Sequence, residues 1–167
     1  IQHNPHNPFS LSNDNIYSIF EDKNGNIWIG TYGGGLNLIR GGDEKSGIIN
    51  GNNNLKNYPL KQGAQVRILS ADKHGNIYVG TTFGLIVFDE NFINPEEIVF
   101  RVYQRKDIAN SIGGNDIFDI CTTKSGDTYI GTFGGGLNLV TSGDEDSRIV
   151  NHLNDLTHYP FNQADQV

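Results

Sequence analysis

The chain has 167 residues, a formal net charge of −7, 21 glycines and a hydrophobic share of 36%, low for a globular core. A pI near 5.0 sets the average charge against a phosphate backbone, so nucleic acid is not an expected partner. A single cysteine excludes an internal disulfide, and neither a membrane-length apolar run nor a charged-then-apolar leader is present.

The first residues, Ile1-Gln-His3, align with the later Val102-Tyr-Gln104, the tail of an outer strand. A lead-in follows at Ser10-Leu-Ser12, echoed at Ser111-Ile-Gly113. An apolar strand is expected at Ile16 to Phe20, a glycine-ended turn at Asp22 to Gly25, and a second strand in Gly25-Asn-Ile-Trp-Ile-Gly-Thr31. Glycine at the last turn position suits a hairpin that needs positive φ there. A Gly-rich turn, Tyr32 to Gly35, leads into Gly35-Leu-Asn-Leu-Ile39.

This pattern returns twice. The inner strand recurs as Val66 to Ser70 and Ile117 to Cys121, and the second strand as Gly75 to Thr81 and Gly126 to Thr132. The third recurs as Gly84 to Phe88 and Gly136 to Val140. Trp28, Tyr78 and Tyr129 stand 50 and then 51 positions apart. Fourth, outer strands are expected at Leu55 to Leu60, Ile98 to Gln104 and Thr157 to Phe161. Four-stranded antiparallel units at this period indicate an all-β protein, a β-propeller segment of about three blades. The expected division is 1–15 for the tail of a preceding outer strand and the lead-in, then blades at 16–65, 66–116 and 117–165. Gln166-Val167 repeats Gln65-Val66 and opens a further blade.

Site chemistry is sparse. Trp28, Tyr78 and Tyr129 sit mid-strand and are expected to pack between blades rather than stack on a sugar. Gly30-Thr31, Gly80-Thr81 and Gly131-Thr132 are expected to be structural, glycine for close backbone approach and threonine for tying a turn. Cys121 is expected to be a small buried residue. The Gly-rich turns lack the helix that a phosphate cradle needs. His3, His6, His74, His152 and His158 lack partner cysteines or helical pairing, and the acidic runs at Asp43-Glu44 and Asp144 to Asp146 lack a calcium-loop pattern; no metal or cofactor is expected. No nucleophile elbow or Cys–His arrangement is present, so no catalytic residue is assigned. Asp119, on an innermost strand, is expected to be solvated.

In an up-and-down meander the turns after strands two and four share one face. That face gathers Tyr32, Phe83 and Phe133 with Asn15, Gln65 and Asp116, inside the stretches 13–15, 62–65 and 114–116. Rings beside amides and carboxylates suit a sugar, and equally a protein partner. A three-blade unit also leaves two sheet faces to be covered, by further blades or by self-association in a head-to-tail pair.

The run Asp22 to Leu36, with Asp-x-x-Gly-Asn-Ile-Trp-Ile-Gly-Thr followed by Gly-Gly-Leu, resembles the two-component regulator propeller repeat of hybrid two-component systems in gut Bacteroidetes. The third copy departs with Thr123 in place of Asp, and the middle copy lacks the triple glycine. The resemblance implies a non-catalytic periplasmic sensor region of an inner-membrane histidine kinase, detecting oligosaccharides from polysaccharide breakdown. The alternatives are a protein-interaction or dimerisation scaffold and, last, a propeller lyase or glycosidase. No ligand contact carries over from the repeat, and neither nucleic acid nor membrane is expected to touch this segment.

Overall fold

A computed structural model of the chain describes residues 1–43, 47–55, 58–59, 65–106, 111–140 and 149–150. Among these residues twelve strands form three antiparallel sheets in simple sequence order. Blade 1 contains β1 (Ile16–Glu21), β2 (Ile27–Thr31), β3 (Gly35–Ile39) and β4 (Ile49–Asn50). Blade 2 contains β5 (Val66–Ala71), β6 (Asn76–Thr81), β7 (Gly84–Asp89) and β8 (Arg101–Tyr103), with one 3₁₀ turn at Pro95–Glu97 before β8. Blade 3 contains β9 (Ile117–Thr122), β10 (Thr128–Thr132), β11 (Gly136–Val140) and β12 (Ile149–Val150). The innermost strands face one another in series, β1 against β5 and β5 against β9. This is the β-propeller arrangement expected from the repeat.

Residues that alternate along a strand serve two different cores. On β6, Ile77 and Val79 point toward blade 1 and join Trp28, Leu36, Leu38, Val66 and Phe88. Tyr78 points the other way and joins Ile117, Ile120 and Ile130 of blade 3. Trp28 is fully buried, edge-on to Phe88 of the next blade with ring centroids 4.8 Å apart. The far side of blade 1 is closed by its own lead-in, where Leu11 packs on Ile29 and Ile48.

The turn between the first two strands is organised by its aspartate. Asp22 Oδ1 accepts from the backbone N–H groups of Asn24 and Asn26, and Oδ2 from Asn26 Nδ2 and Trp28 Nε1, all at 2.9 Å. Asp72 repeats the arrangement with His74, Asn76 and the Tyr78 hydroxyl. In blade 3 the Thr123 hydroxyl binds only the backbone of Asp127 and the Ser125 hydroxyl. These turns are also laced together: Lys23 Nζ donates to the carbonyl of Lys73, and Lys73 Nζ to that of Ser125.

The lead-in segments are clamped by one asparagine. Asn37 is buried on β3; its Oδ1 accepts from Ser12 N at 2.9 Å and its Nδ2 donates to Ser12 Oγ at 2.8 Å. Asn138 holds Gly113 N in the same way at 2.8 Å. The middle copy has the apolar Ile86 at this place, buried in the blade 1–2 core.

Two expectations need correction. Among the described residues, Leu55, Tyr58 and Pro59 of the stretch expected at Leu55 to Leu60 belong to no strand, and the outer strand of blade 1 is Ile49–Asn50. It pairs with β3 directly after the long loop, and Leu55 turns inward to the core instead. Blade 3 pairs in the same early place, at Ile149–Val150, and Thr157 to Phe161 lie outside the described residues. Cys121 is exposed, not buried, because on β9 it is Ile117 and Ile120 that point into the core. In blade 2 the outer strand, Arg101–Tyr103, falls within the expected span.

Candidate functional site

Each innermost strand contains one residue more than its partner needs. On β1, Ile16 pairs with Thr31 and Ser18 with Gly30, leaving Tyr17 between them. On β5, Arg67 is left over between Val66 and Ile68; on β9, Phe118 between Ile117 and Asp119. These are β-bulges, which re-aim a side chain out of the regular alternation. Because the bulge recurs at one position, it delivers Tyr17, Arg67 and Phe118 to one end of the innermost strands.

That end is where the turns after the second strands lie. Tyr32 N donates to Asn15 O at 2.9 Å, Thr82 N to Gln65 O at 3.2 Å, and Phe133 N to Asp116 O at 2.8 Å. Tyr32 and Gln65 also form an isolated antiparallel bridge from blade 1 to blade 2. The aromatic turns and the polar segments expected to share a face therefore do so; Gln62 to Ala64 lie outside the described residues.

The bulge side chains complete the surface. Tyr17 stands edge-on to Tyr32, with ring centroids 5.7 Å apart, and Phe118 lies tilted beside Phe133 at 5.9 Å. The Arg67 guanidinium sits 4.1 Å above the Phe118 ring, a cation–π contact that keeps the ring in place. Its charge is met by Asp116, with Nη1 to Oδ1 at 3.1 Å. All four rings are exposed: Tyr32 44%, Tyr17 53%, Phe118 55% and Phe133 72%. Phe83 is exposed too, but its ring joins neither pair, and its carbonyl accepts from Gln104 Nε2. On this face, one acidic group is held by one basic group among apolar rings, a surface that can stack on a ligand and hydrogen-bond to its edge.

Other groups are already engaged. Thr31, Thr81 and Thr132 donate their hydroxyls to the carbonyls of Gly35, Gly84 and Gly136, across the Gly-rich turn. Asp119 is exposed, and its Oδ1 accepts from Ile120 N. His3 lies beside Leu11 O and Asp14. No cluster of three metal-ligating side chains exists among the described residues; His152, His158, Glu44 and Asp144 to Asp146 lie outside them. On the hairpin-turn side, a cavity of about 450 Å³ is lined by Asn24, Asn26, Arg40, Asn91 and Phe92. Its amides are spent on the protein itself: Asn24 on Glu90 O, Asn26 on Asp22 and Gly41, Asn91 on Asp89.

Tyr17, Arg67 and Phe118 were absent from the residues expected from sequence. The signal was an unusual residue second in each inner strand, including a charged one between Val66 and Ile68, where alternation alone points the side chain into a blade interface.

Residues 10–33 match a family model described as two component regulator propeller. No curated protein matches the chain by sequence. The fold is similar to the extracellular domain of a putative hybrid two component system from B. thetaiotaomicron, with a TM-score of 0.61 and 23% identity over 84% of this chain and 17% of that one. It is also similar to the extracellular domain of a putative one component system from that organism, with a TM-score of 0.57 and 21% identity over 74% and 15%. A virginiamycin B lyase from Staphylococcus aureus shares the fold at a TM-score of 0.51 and 18% identity, over 81% and 40%. The chain thus spans about a sixth of the length of the two Bacteroides domains. The family match at residues 10–33 falls in the first blade of a three-blade stretch of β-propeller.

Proposed function

We propose that this chain is a non-catalytic sensing segment of an extracytoplasmic propeller, belonging to a two-component signalling protein anchored in the inner membrane. Its ligand on this reading is an oligosaccharide derived from a polysaccharide. The match at 10–33 supports the signalling context, and the likeness to extracellular domains of B. thetaiotaomicron supports a place outside the cytoplasm. The observation that carries the ligand reading is the pair of exposed ring couples, Tyr17–Tyr32 and Phe118–Phe133, set on one face with the Arg67–Asp116 ion pair.

A sugar ring has an apolar face and a hydroxyl rim, and this face offers partners for both. Tyr17, Tyr32, Phe118 and Phe133 supply stacking area, each stacked ring contributing on the order of 1 kcal/mol. Asp116, Gln65 and Asn15 supply hydrogen-bonding groups for hydroxyls. A ligand touching both couples would link blade 1 to blade 3 across Arg67 of blade 2, so binding would resist relative motion of the blades. Such a differential effect is what a sensor must transmit. On this reading the sugar is bound and released unchanged.

Calorimetric titration with a panel of neutral and acidic plant and host oligosaccharides tests the reading. Saturable heat with at least one member, and no new reducing ends after prolonged incubation, is the expected result. No binding to any member, or turnover of the bound one, contradicts it.

A further inference from the structure

On the hairpin-turn side, where blade 1 meets blade 2, the cavity of about 450 Å³ is lined by side chains that the repeat does not write three times. Arg40 follows the third strand of blade 1, and its counterparts in the sequence are Asp89 and Thr141. Asn91 and Phe92 stand where the first copy has Gly42-Asp43 and the third has Gly143-Asp144. Asn24 is replaced by His74 and Ser125. Blade folding therefore does not require this set, and its convergence on one cavity calls for another reason.

Arg40 is half-buried, yet its guanidinium makes no hydrogen bond or ion pair among the described residues. It meets only the Phe92 ring, 6.0 Å from the centroid, and that ring is anchored edge-on to Trp28 at 5.8 Å. The carboxylates bonded to this lining are committed. Asp22 takes four donors, Glu90 Oε1 meets Lys23 Nζ at 3.3 Å, and Asp89 Oδ1 accepts from Asn91 N and Nδ2. A partly desolvated guanidinium without an acceptor is costly to hold, and an entering anion offsets that cost. The exposed asparagines are fixed rather than exhausted. Asn24 Nδ2 gives one hydrogen to Glu90 O and Asn91 Nδ2 one to Asp89 Oδ1; each amide nitrogen has a second to give. Ile93, 79% exposed, adds an apolar edge.

We infer that this cavity binds a carboxylate-bearing ligand the size of one sugar ring, such as a hexuronate. The Arg40 guanidinium, held over the Phe92 ring, keeps its N–H fork free for the two oxygens of a planar carboxylate. Asn24 and Asn91 meet hydroxyls as donors and acceptors, and Ile93 lies against the apolar face of the ring. The volume falls within the range of about 300–1,000 Å³ usual for small-ligand pockets. The site is at the opposite end of the strands from the ring couples, so it stands whatever those couples bind.

Titration of the isotope-labelled full chain with glucuronate, glucose and acetate, followed by NMR, tests this. Glucuronate should shift the side-chain signals of Arg40, Asn24 and Asn91 saturably, glucose should leave them in place, and acetate should act several-fold more weakly. Arg40→Gln should weaken glucuronate binding by about tenfold or more, and Arg40→Lys, which keeps the charge without the fork, by several-fold. The wild-type shifts and the Arg40→Lys variant decide the matter even if Arg40→Gln fails to fold. Glucuronate shifts absent from these three residues or confined to the ring couples overturn the inference. So do an equal response to glucose, full affinity in folded Arg40→Gln, or acetate bound as tightly as glucuronate, which would reduce the site to a bare anion contact.

Discussion

The indole Nε1 of Trp28 donates a 2.9 Å hydrogen bond to Asp22 Oδ2, six residues earlier and across the first hairpin turn. One carboxylate thereby joins the turn to the blade interface, and this explains why aspartate, glycine, asparagine and an aromatic recur together. Bonds to a charged acceptor contribute more than neutral ones. Asp22→Ala, which removes a buried acceptor of four donors, should lower stability by about 3 kcal/mol or more, measured as a shift in the urea midpoint.

Blade 3 lacks this carboxylate, and Asp127 stands where blades 1 and 2 have Asn26 and Asn76. Thr123→Asp with Asp127→Asn restores the pattern beneath Tyr129. The double variant should be more stable by about 1 kcal/mol, and a loss of stability would show that the Tyr129 hydroxyl does not come within reach.

The two clamping asparagines give a sharper contrast. Asn37→Leu should cost about 2 kcal/mol, because Ser12 N loses its acceptor and the Ser12 hydroxyl keeps only Thr31 Oγ1, and amide exchange at residues 11 and 12 should accelerate selectively. Ile86→Asn at the corresponding place should also destabilise, since the buried amide would sit in the apolar core between blades 1 and 2.

Much of this fold was legible in the sequence because the repeat writes each turn three times, so Asp22 to Gly25 and the Gly-rich turns punctuate the strands without ambiguity. The outer strand of blade 1 escapes a sequence reading because two residues suffice for Ile49–Asn50 to pair with β3, too short to show any alternation. Cys121 misled because an apolar run does not say which of its residues face the core. The ring couples at the ligand face were half visible: Tyr32 and Phe133 follow from turn position, but Tyr17 and Phe118 reach them through a bulge, and a bulge is a mismatch between two strands that neither strand shows alone.

Threonine at the end of the second strand offers a graded test. Thr31 is 0% exposed while Thr132 is partly exposed, though both hydroxyls donate across the same turn at 2.9 Å. Thr31→Val should lower stability by roughly 1 kcal/mol or more and Thr132→Val by less, with saccharide affinity unchanged in both.

Alkaline pH acts through two tyrosines. Burial raises the pKa of Tyr58, and burial together with the Asp72 carboxylate raises that of Tyr78. Each holds its proton more tightly folded than unfolded, so its contribution is complete below the unfolded value of about 10 and is lost as pH rises above it. The urea midpoint should fall with increasing slope through that range, and Tyr58→Phe with Tyr78→Phe should flatten the slope.

The ligand face carries the central claim, and one calorimetric comparison addresses it. Tyr32→Ala with Phe133→Ala removes one ring from each couple at exposed turn positions, so the melting temperature should stay near that of the wild type. The account predicts that affinity for the bound oligosaccharide falls by about 2 kcal/mol, roughly thirtyfold. Unchanged affinity in a fully folded double variant would contradict it.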